Sequence, residues 1–361
     1  MQLRKQEEKM QLRKMVLGVG VAAALFLLPA AAAAQDLTGA GATFPFPIYS
    51  KWFDVYAGKT GVRINYQSIG SGGGIRQITE GTVDFGATDG PMNDEELAGV
   101  SGDLIHIPTV LGAVAVVYHL PGLAAPLRLD ADALSGIFLN TLKKWDDPRI
   151  AALNPGVSLP ALPILVIHRS DGSGTTYVLS DYLSSVSPAW SQRIGKGKSL
   201  SWPTGLGAKG NEGVSGQVKQ MPGAMGYVEL AYARQNHLSM AEIRNRSGRF
   251  VRPTIAGTTA AAAGAAANLD EGTDFRVSIV NAEGAEAYPI ASFTWLLLYR
   301  EQDDPRKGKQ LVDFIWWAVH EGEKYAQALD YAPIPDEMVR LIEKKLETVS
   351  SGGQGLLAAG R

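Results

Sequence analysis

Apolar residues recur along the chain with two periods. Ile48, Trp52 and Tyr56 stand four apart, the spacing of one helix face, and predict a helix over 47–59. Val62, Ile64 and Tyr66 then alternate with polar neighbours and predict a strand over 62–66. Further strands are predicted over 83–87, 114–119, 165–168 and 292–299. Helices are predicted over 75–80, closed by Gly81, over 176–184 and over 306–319. Strands alternating with helices predict α/β domains with largely parallel sheets, in which ligands sit at the carboxyl ends of strands, near helix N-termini.

The 361-residue length is enough for two such domains. With no cysteine, disulfides, thiolate zinc sites and thiol nucleophiles are excluded. Residues 1–34 read as a secretory signal peptide: Arg4, Lys5, Lys9, Arg13 and Lys14 precede an apolar run over 15–28, then Pro29 and five alanines, with cleavage expected near Ala34. Met1–Lys5 recurs at Met10–Lys14, so Met1 and Met10 are both candidate starts. Later apolar runs, such as 113–118 and 295–299, are strand-sized and too short to span a membrane. Without residues 1–34 the chain has 29 basic and 34 acidic side chains, a net charge of −5, which disfavours nucleic acid as a partner. The stretch 256–268 is almost all Ala, Gly and Thr and reads as either helix or loop. The tail 350–361 is expected to be disordered.

Four junctions share one design: Gly39–Pro45, Gly70–Gly74, Gly86–Pro91 and Arg169–Thr176. Small residues let backbone N–H groups approach a ligand, and three of the four feed a helix N-terminus, which favours an anion. Arg169 adds a permanent charge with a two-pronged fork. Each loop alone is equally a tight turn, and Arg169 alone a surface arginine; their recurrence favours an anion cradle. Nucleotide loops fail in detail, because Phe53 and Gln192 stand where the glycine before Gly58-Lys59-Thr60 and Gly197-Lys198-Ser199 is required. Asp171, two residues before Ser173, breaks a nucleophile elbow. The five histidines have no metal-binding spacing.

At these loops the chain resembles the periplasmic phosphate-binding proteins, substrate-binding subunits of bacterial phosphate ABC transporters. The matching stretches are Leu37–Pro45, Val83–Asp89, Lys143–Asp147, Arg169–Thr175, Pro222–Glu229 and Leu329–Ala332, in the same order over nearly the whole mature chain. The resemblance implies a two-domain α/β clamshell with a two-strand hinge near 112–118 and 290–296. One domain would combine 35–117 with 288–349 and the other would hold 118–287. It also implies a phosphate shell: backbone N–H of Thr43 and Phe44, the hydroxyls of Thr43 and Ser71, Asp89 as acceptor, Arg169 paired to the anion with Asp171 holding its guanidinium, and Ser173, Gly174 and Thr175 as donors. Gly72 and Thr88 depart from the usual serines without removing a donor. No catalytic residue, metal or cofactor is implied. The expected protein is a periplasmic monomer serving an inner-membrane permease.

Asp89 is the informative residue. A carboxylate beside an anion should repel it, but phosphate keeps a proton near neutral pH and can donate it, whereas sulfate cannot. Arsenate shares phosphate's protonation pattern and stays open as a ligand. The other reading of Asp89-Gly90-Pro91 is an Asx turn. A phosphatase using the same cradle is the competing class; it lacks an activated nucleophile and a metal cluster.

Overall fold

A computed structural model describes residues 36–123, 125–263 and 274–357. In chain order the elements that matter here are β1 (Leu37–Gly41), α1 (Phe46–Thr60), β2 (Ile64–Ser68), α2 (Ser71–Thr79), β3 (Phe85–Thr88), β4 (Leu104–Tyr118), β5 (Leu165–Arg169), α3 (Gly174–Val186), β6 (Leu206–Ala208), α4 (Gly210–Gln220), β7 (Ala224–Glu229), β8 (Ala291–Tyr299) and α5 (Pro305–Val319). The strands run in the order β2-β1-β3-β8-β4-β7-β5-β6. The outer pairs β1–β2, β1–β3, β5–β6 and β5–β7 are parallel. The central pairs, β3–β8, β8–β4 and β4–β7, are antiparallel. The sheet is therefore mixed, not largely parallel, because two strands cross from one lobe to the other against the prevailing direction.

β4 is the main crossing strand. All fifteen of its residues are buried, so it reads as a continuous apolar run rather than an alternation. Its first part pairs with β8 as far as Ala113, and Val114 to Tyr118 pair with β7. Pro108 cannot donate to the ladder, and the register slips beside it, between Thr294 and Trp295 of the partner strand. The chain entering β8 is tied to the point where β4 changes partner: Val114 N–H donates to Ile290 O at 2.8 Å and Tyr288 OH to Val114 O at 2.9 Å. The two lobes thus meet through β4 and the start of β8, which form the hinge of the clamshell.

Aromatic packing makes each lobe stiff. Tyr49, Trp52, Phe53 and Tyr56 of α1 pack with Tyr66, Phe85, Phe314 and Trp317 in the first lobe. Phe138, Trp190, Trp202 and Tyr227 interlock in the second. Aromatic side chains of this size bury roughly 150–250 Å² each, which fixes the loops resting on them.

Several elements differ from the sequence expectation. α2 starts at Ser71, so the glycine run is the first helical turn and not a preceding loop. Residues 350–357 are ordered, correcting the expected disorder. Ser350–Ser351 pairs with Gln354–Gly355, Leu356 is buried, and Ser350 is held by Arg300 O and Gln302 N–H at 2.9 and 2.8 Å. Gly352 and Gly353 both take positive φ, 58° and 75°, which a two-residue hairpin turn requires. Of the Ala-rich stretch, Ile255–Ala262 is a helix capped by the Thr254 hydroxyl. The signal segment 1–34, residues 264–268 and the final residues 358–361 lie outside the described residues. No helix among the described residues is long and apolar enough to cross a membrane.

Candidate functional site

The carboxyl ends of β1, β3 and β5 and the N-termini of α1, α2, α3 and α4 converge between the lobes. At the head of α1, Tyr66 OH donates to Ala42 O at 2.8 Å and Tyr232 OH to Thr43 O at 2.7 Å. In a trans peptide C=O and N–H point opposite ways, so these two tethers aim the N–H groups of Thr43 and Phe44 away from the tyrosines. Tyr331 OH holds Phe44 O at 2.6 Å.

Ser71 is the first residue of α2 and is fully buried. Its Oγ accepts from Asp89 N–H at 3.2 Å and, across the lobes, from Gly174 N–H at 3.0 Å. Gly72 N–H donates to Gly172 O at 2.8 Å in the same crossing. Gly70, at φ 89°, admits this approach; a Cβ there would lie 2.4 Å from Asp171 Oδ2. Gly174 opens α3 against the first lobe, behind its capping residue Ser173, whose Oγ accepts from Thr176 N–H at 3.0 Å.

Asp89 is 1% exposed at the end of β3. Thr294 donates to its Oδ1 at 2.9 Å, leaving Oδ2 towards Gly174. The Asx-turn alternative is not what forms, since the Thr88 hydroxyl makes the local bonds to Gly90 instead. Burial pushes the Asp89 carboxyl up to about 7, against the opposing effects of the Thr294 hydrogen bond, the Arg169 charge and the Ser71 hydrogen bond.

Arg169, 4% exposed, closes the far side. Its Nε and a terminal nitrogen pair with both Asp171 oxygens at 2.7 and 2.5 Å, and its other terminal nitrogen donates to Thr175 Oγ1 at 3.3 Å. Burial alone would raise the Asp171 carboxyl, but the Arg169 hydrogen bonds and charge outweigh it and hold it below its usual range. Asp171 also accepts from Gly210 N–H at 3.1 Å.

Thr43, Phe44, Ser71, Asp89, Arg169, Asp171, Ser173, Gly174 and Thr175 therefore all come together at one place. Contributors not named from the sequence include Thr294, which orients Asp89; the tethering hydroxyls of Tyr66, Tyr232 and Tyr331; and Asn211 at the head of α4. Asn211 has a readable signal, because Ala208-Lys209-Gly210-Asn211 joins a strand to a helix as three of the four named loops do. Away from the centre, Lys198 of the second lobe bonds Glu96 at 2.8 Å and Pro91 O at 3.0 Å, and Arg276 bonds Asp94 at 2.7 Å, so ion pairs span the lobes at the rim. Among the described residues no group of carboxylates and histidines has the arrangement of a metal site.

Two α/β lobes on a two-strand hinge, with helix N-termini converging between them, define a substrate-binding protein of the periplasmic type. The PBP superfamily domain matches residues 28–321. The phosphate-binding protein PstS of Pasteurella multocida is 45% identical over 326 residues, covering 90% of this chain and 94% of that one. That of Haemophilus influenzae is 45% identical over 318 residues, covering 88% and 94%. The chain belongs to this family, the PstS phosphate-binding proteins of the PBP superfamily. Among solved structures, a high-affinity periplasmic phosphate-binding protein bound with phosphate superposes with a TM-score of 0.70 at 21% identity, covering 86% of this chain and 93% of that one. The phosphate-binding protein of Stenotrophomonas maltophilia gives 0.66 at 20% identity, covering 86% and 94%. At those identities the likeness concerns the fold.

Proposed function

We propose that the protein binds inorganic phosphate between its lobes in the periplasm and delivers it to an inner-membrane ABC permease. The observation that carries this reading is the buried carboxylate Asp89, held by Thr294 through one oxygen, with the other turned to the head of α3 among N–H and O–H donors. An anion site needs donors; a carboxylate among them has use only for a ligand that brings its own proton. Phosphate has five heavy atoms, and a ceiling of about −1.5 kcal/mol per atom allows roughly −7.5 kcal/mol, near micromolar. Reaching it requires nearly every oxygen to be met, as four helix N-termini and Arg169 are placed to do. The lobes are taken as 35–117 with 288–349, and 118–287; the change of partner along β4, between Ala113 and Val114, lies a few residues before that boundary and supports a crossover there. Residues 1–34 serve export with cleavage near Ala34. In this reading the protein acts as a monomer and without catalysis. Titration calorimetry on protein stripped of ligand is expected to show one phosphate per chain at micromolar affinity or tighter, and sulfate weaker by two orders of magnitude or more. No heat with phosphate, or equal binding of sulfate, refutes the reading; release of p-nitrophenol from its phosphate ester by pure protein would restore the enzyme alternative.

The closed state also rests on Gly174. A Cβ there would lie 2.5 Å from both Asp89 Oδ2 and Ser71 Oγ. Alanine favours a helix over glycine by about 1 kcal/mol, so the second lobe itself tolerates Gly174→Ala. The expected result is at least thirtyfold weaker phosphate binding, with the melting temperature of the ligand-free protein unchanged or raised and its rise on adding phosphate largely lost. A normal phosphate-induced rise would show that the lobes close without this contact.

A further inference from the structure

Asn211 is fully buried at the head of α4, and its amide orientation is fixed. Glu229 N–H donates to Oδ1 at 3.1 Å, and a backbone N–H can only donate. The amide oxygen must face Glu229, so the NH₂ group faces the cradle. There Nδ2 lies 2.8 Å from Thr43 Oγ1 and 3.3 Å from Thr175 Oγ1, and the Asn211 main-chain N–H lies 3.3 Å from Thr43 Oγ1.

A hydroxyl has one proton and two lone pairs. At Thr43 both lone pairs are met by Asn211. At Thr175 one is met by Asn211 and the other by Arg169 at 3.3 Å. Neither hydroxyl can accept further, and each has only its proton left to give. Ser71 Oγ likewise accepts from two N–H groups, those of Asp89 and Gly174. We propose that Asn211 is a positioning and specificity-determining residue. It locks one threonine hydroxyl from each lobe into donating toward the anion, and so sets the polarity of the site from outside it. Without the Asn211 amide each hydroxyl keeps a single donor, the main-chain N–H of residue 211 at Thr43 and Arg169 at Thr175, and is able to turn its other lone pair to an anionic oxygen. The inference rests on the phosphate reading above.

The test is a set of phosphate titrations on the full mature chain, with melting curves to confirm folding. Asn211→Ala is expected to weaken phosphate at least tenfold. In a Thr43→Val, Thr175→Val background the same change is expected to alter affinity less than threefold, because the groups it acts through are gone. A multiplicative loss in that background would mean that Asn211 only supports the fold, and overturns the proposal. Asn211→Asp keeps the bond from Glu229 N–H but turns an acceptor toward the hydroxyls; it is expected to cost at least a hundredfold. If it binds phosphate as well as Asn211→Ala does, the polarity lock is likewise overturned. Absence of phosphate binding by the wild-type protein would instead refute the underlying function, so the two failures are distinguishable.

Discussion

Replacing Arg169 by methionine is expected to lower phosphate affinity at least a hundredfold, measured by calorimetric titration of ligand-free protein. Two effects add. The anion loses a charged fork, whose hydrogen bonds contribute about 1.5–3 kcal/mol each. Asp171, which both Arg169 nitrogens now neutralise, becomes an uncompensated negative charge facing an anion. Truncating one partner of a buried charged pair costs about 2–5 kcal/mol, and a hundredfold is about 2.7 kcal/mol. The second effect is separable. Adding Asp171→Asn to Arg169→Met should recover at least tenfold, since the stranded charge is gone while the Gly210 N–H keeps an acceptor. An unchanged dissociation constant in Arg169→Met would remove the arginine from the site.

The parts of the fold legible in the sequence are those with one apolar face. α1 shows Ile48, Trp52 and Tyr56 at helical spacing, and β2 alternates because one of its faces is exposed and the other half-buried. Only the last third of β4 is legible, as the predicted strand 114–119, because strict burial on both sides erases alternation and Pro108 interrupts the apolar run; the irregular register opposite it is visible only in the pairing. Glycine reads as loop, which hides the start of α2, whereas here the glycines of the first turn allow close approach, Gly72 to the other lobe and Gly74 to β1 and β3 of its own. Gly72 lies against Gly172, and a Cβ on Gly74 would meet Ala40 O at 2.5 Å.

The site was legible where one loop supplies several groups at once, as Arg169–Thr175 does. Residues acting through others were not. Thr294 reaches Asp89 over a separation of 205 residues, and Tyr232 reaches Thr43 over 189. Nothing local marks a threonine inside an apolar strand, or a tyrosine on a short helix, as the orienting partner of a loop. Such contacts exist only once the fold brings distant segments together, Thr294 to Asp89 by strand pairing within one lobe and Tyr232 to Thr43 across the two, while the helix N-termini announce themselves by glycine and hydroxyl residues at a strand's end.

Replacing Asp89 by asparagine should collapse the discrimination between phosphate and sulfate by at least a hundredfold, chiefly through a gain in sulfate binding. Enclosing the carboxylate moves it from its ordinary 3.8 to about 7, because burial removes its water faster than Thr294, Arg169 and Ser71 replace it. That difference corresponds to roughly 4 kcal/mol, or about a thousandfold, against closing on an unprotonated partner. Phosphate offsets it by donating its proton to Oδ2; sulfate has none. In Asp89→Asn, Thr294 still holds the oxygen, so the NH₂ faces the ligand and donates to either anion. Phosphate affinity should then stay within about tenfold of wild type. The pH dependence gives the sign independently. A carboxyl raised in the closed form favours closure while protonated, and that help is lost as pH rises through about 7. Wild-type sulfate affinity should therefore climb about tenfold per pH unit as pH falls from 7 towards 4, the slope of one proton taken up on binding. The asparagine variant has no such proton and should show a flat sulfate profile. Equal slopes in the two proteins would show that Asp89 does not face the ligand.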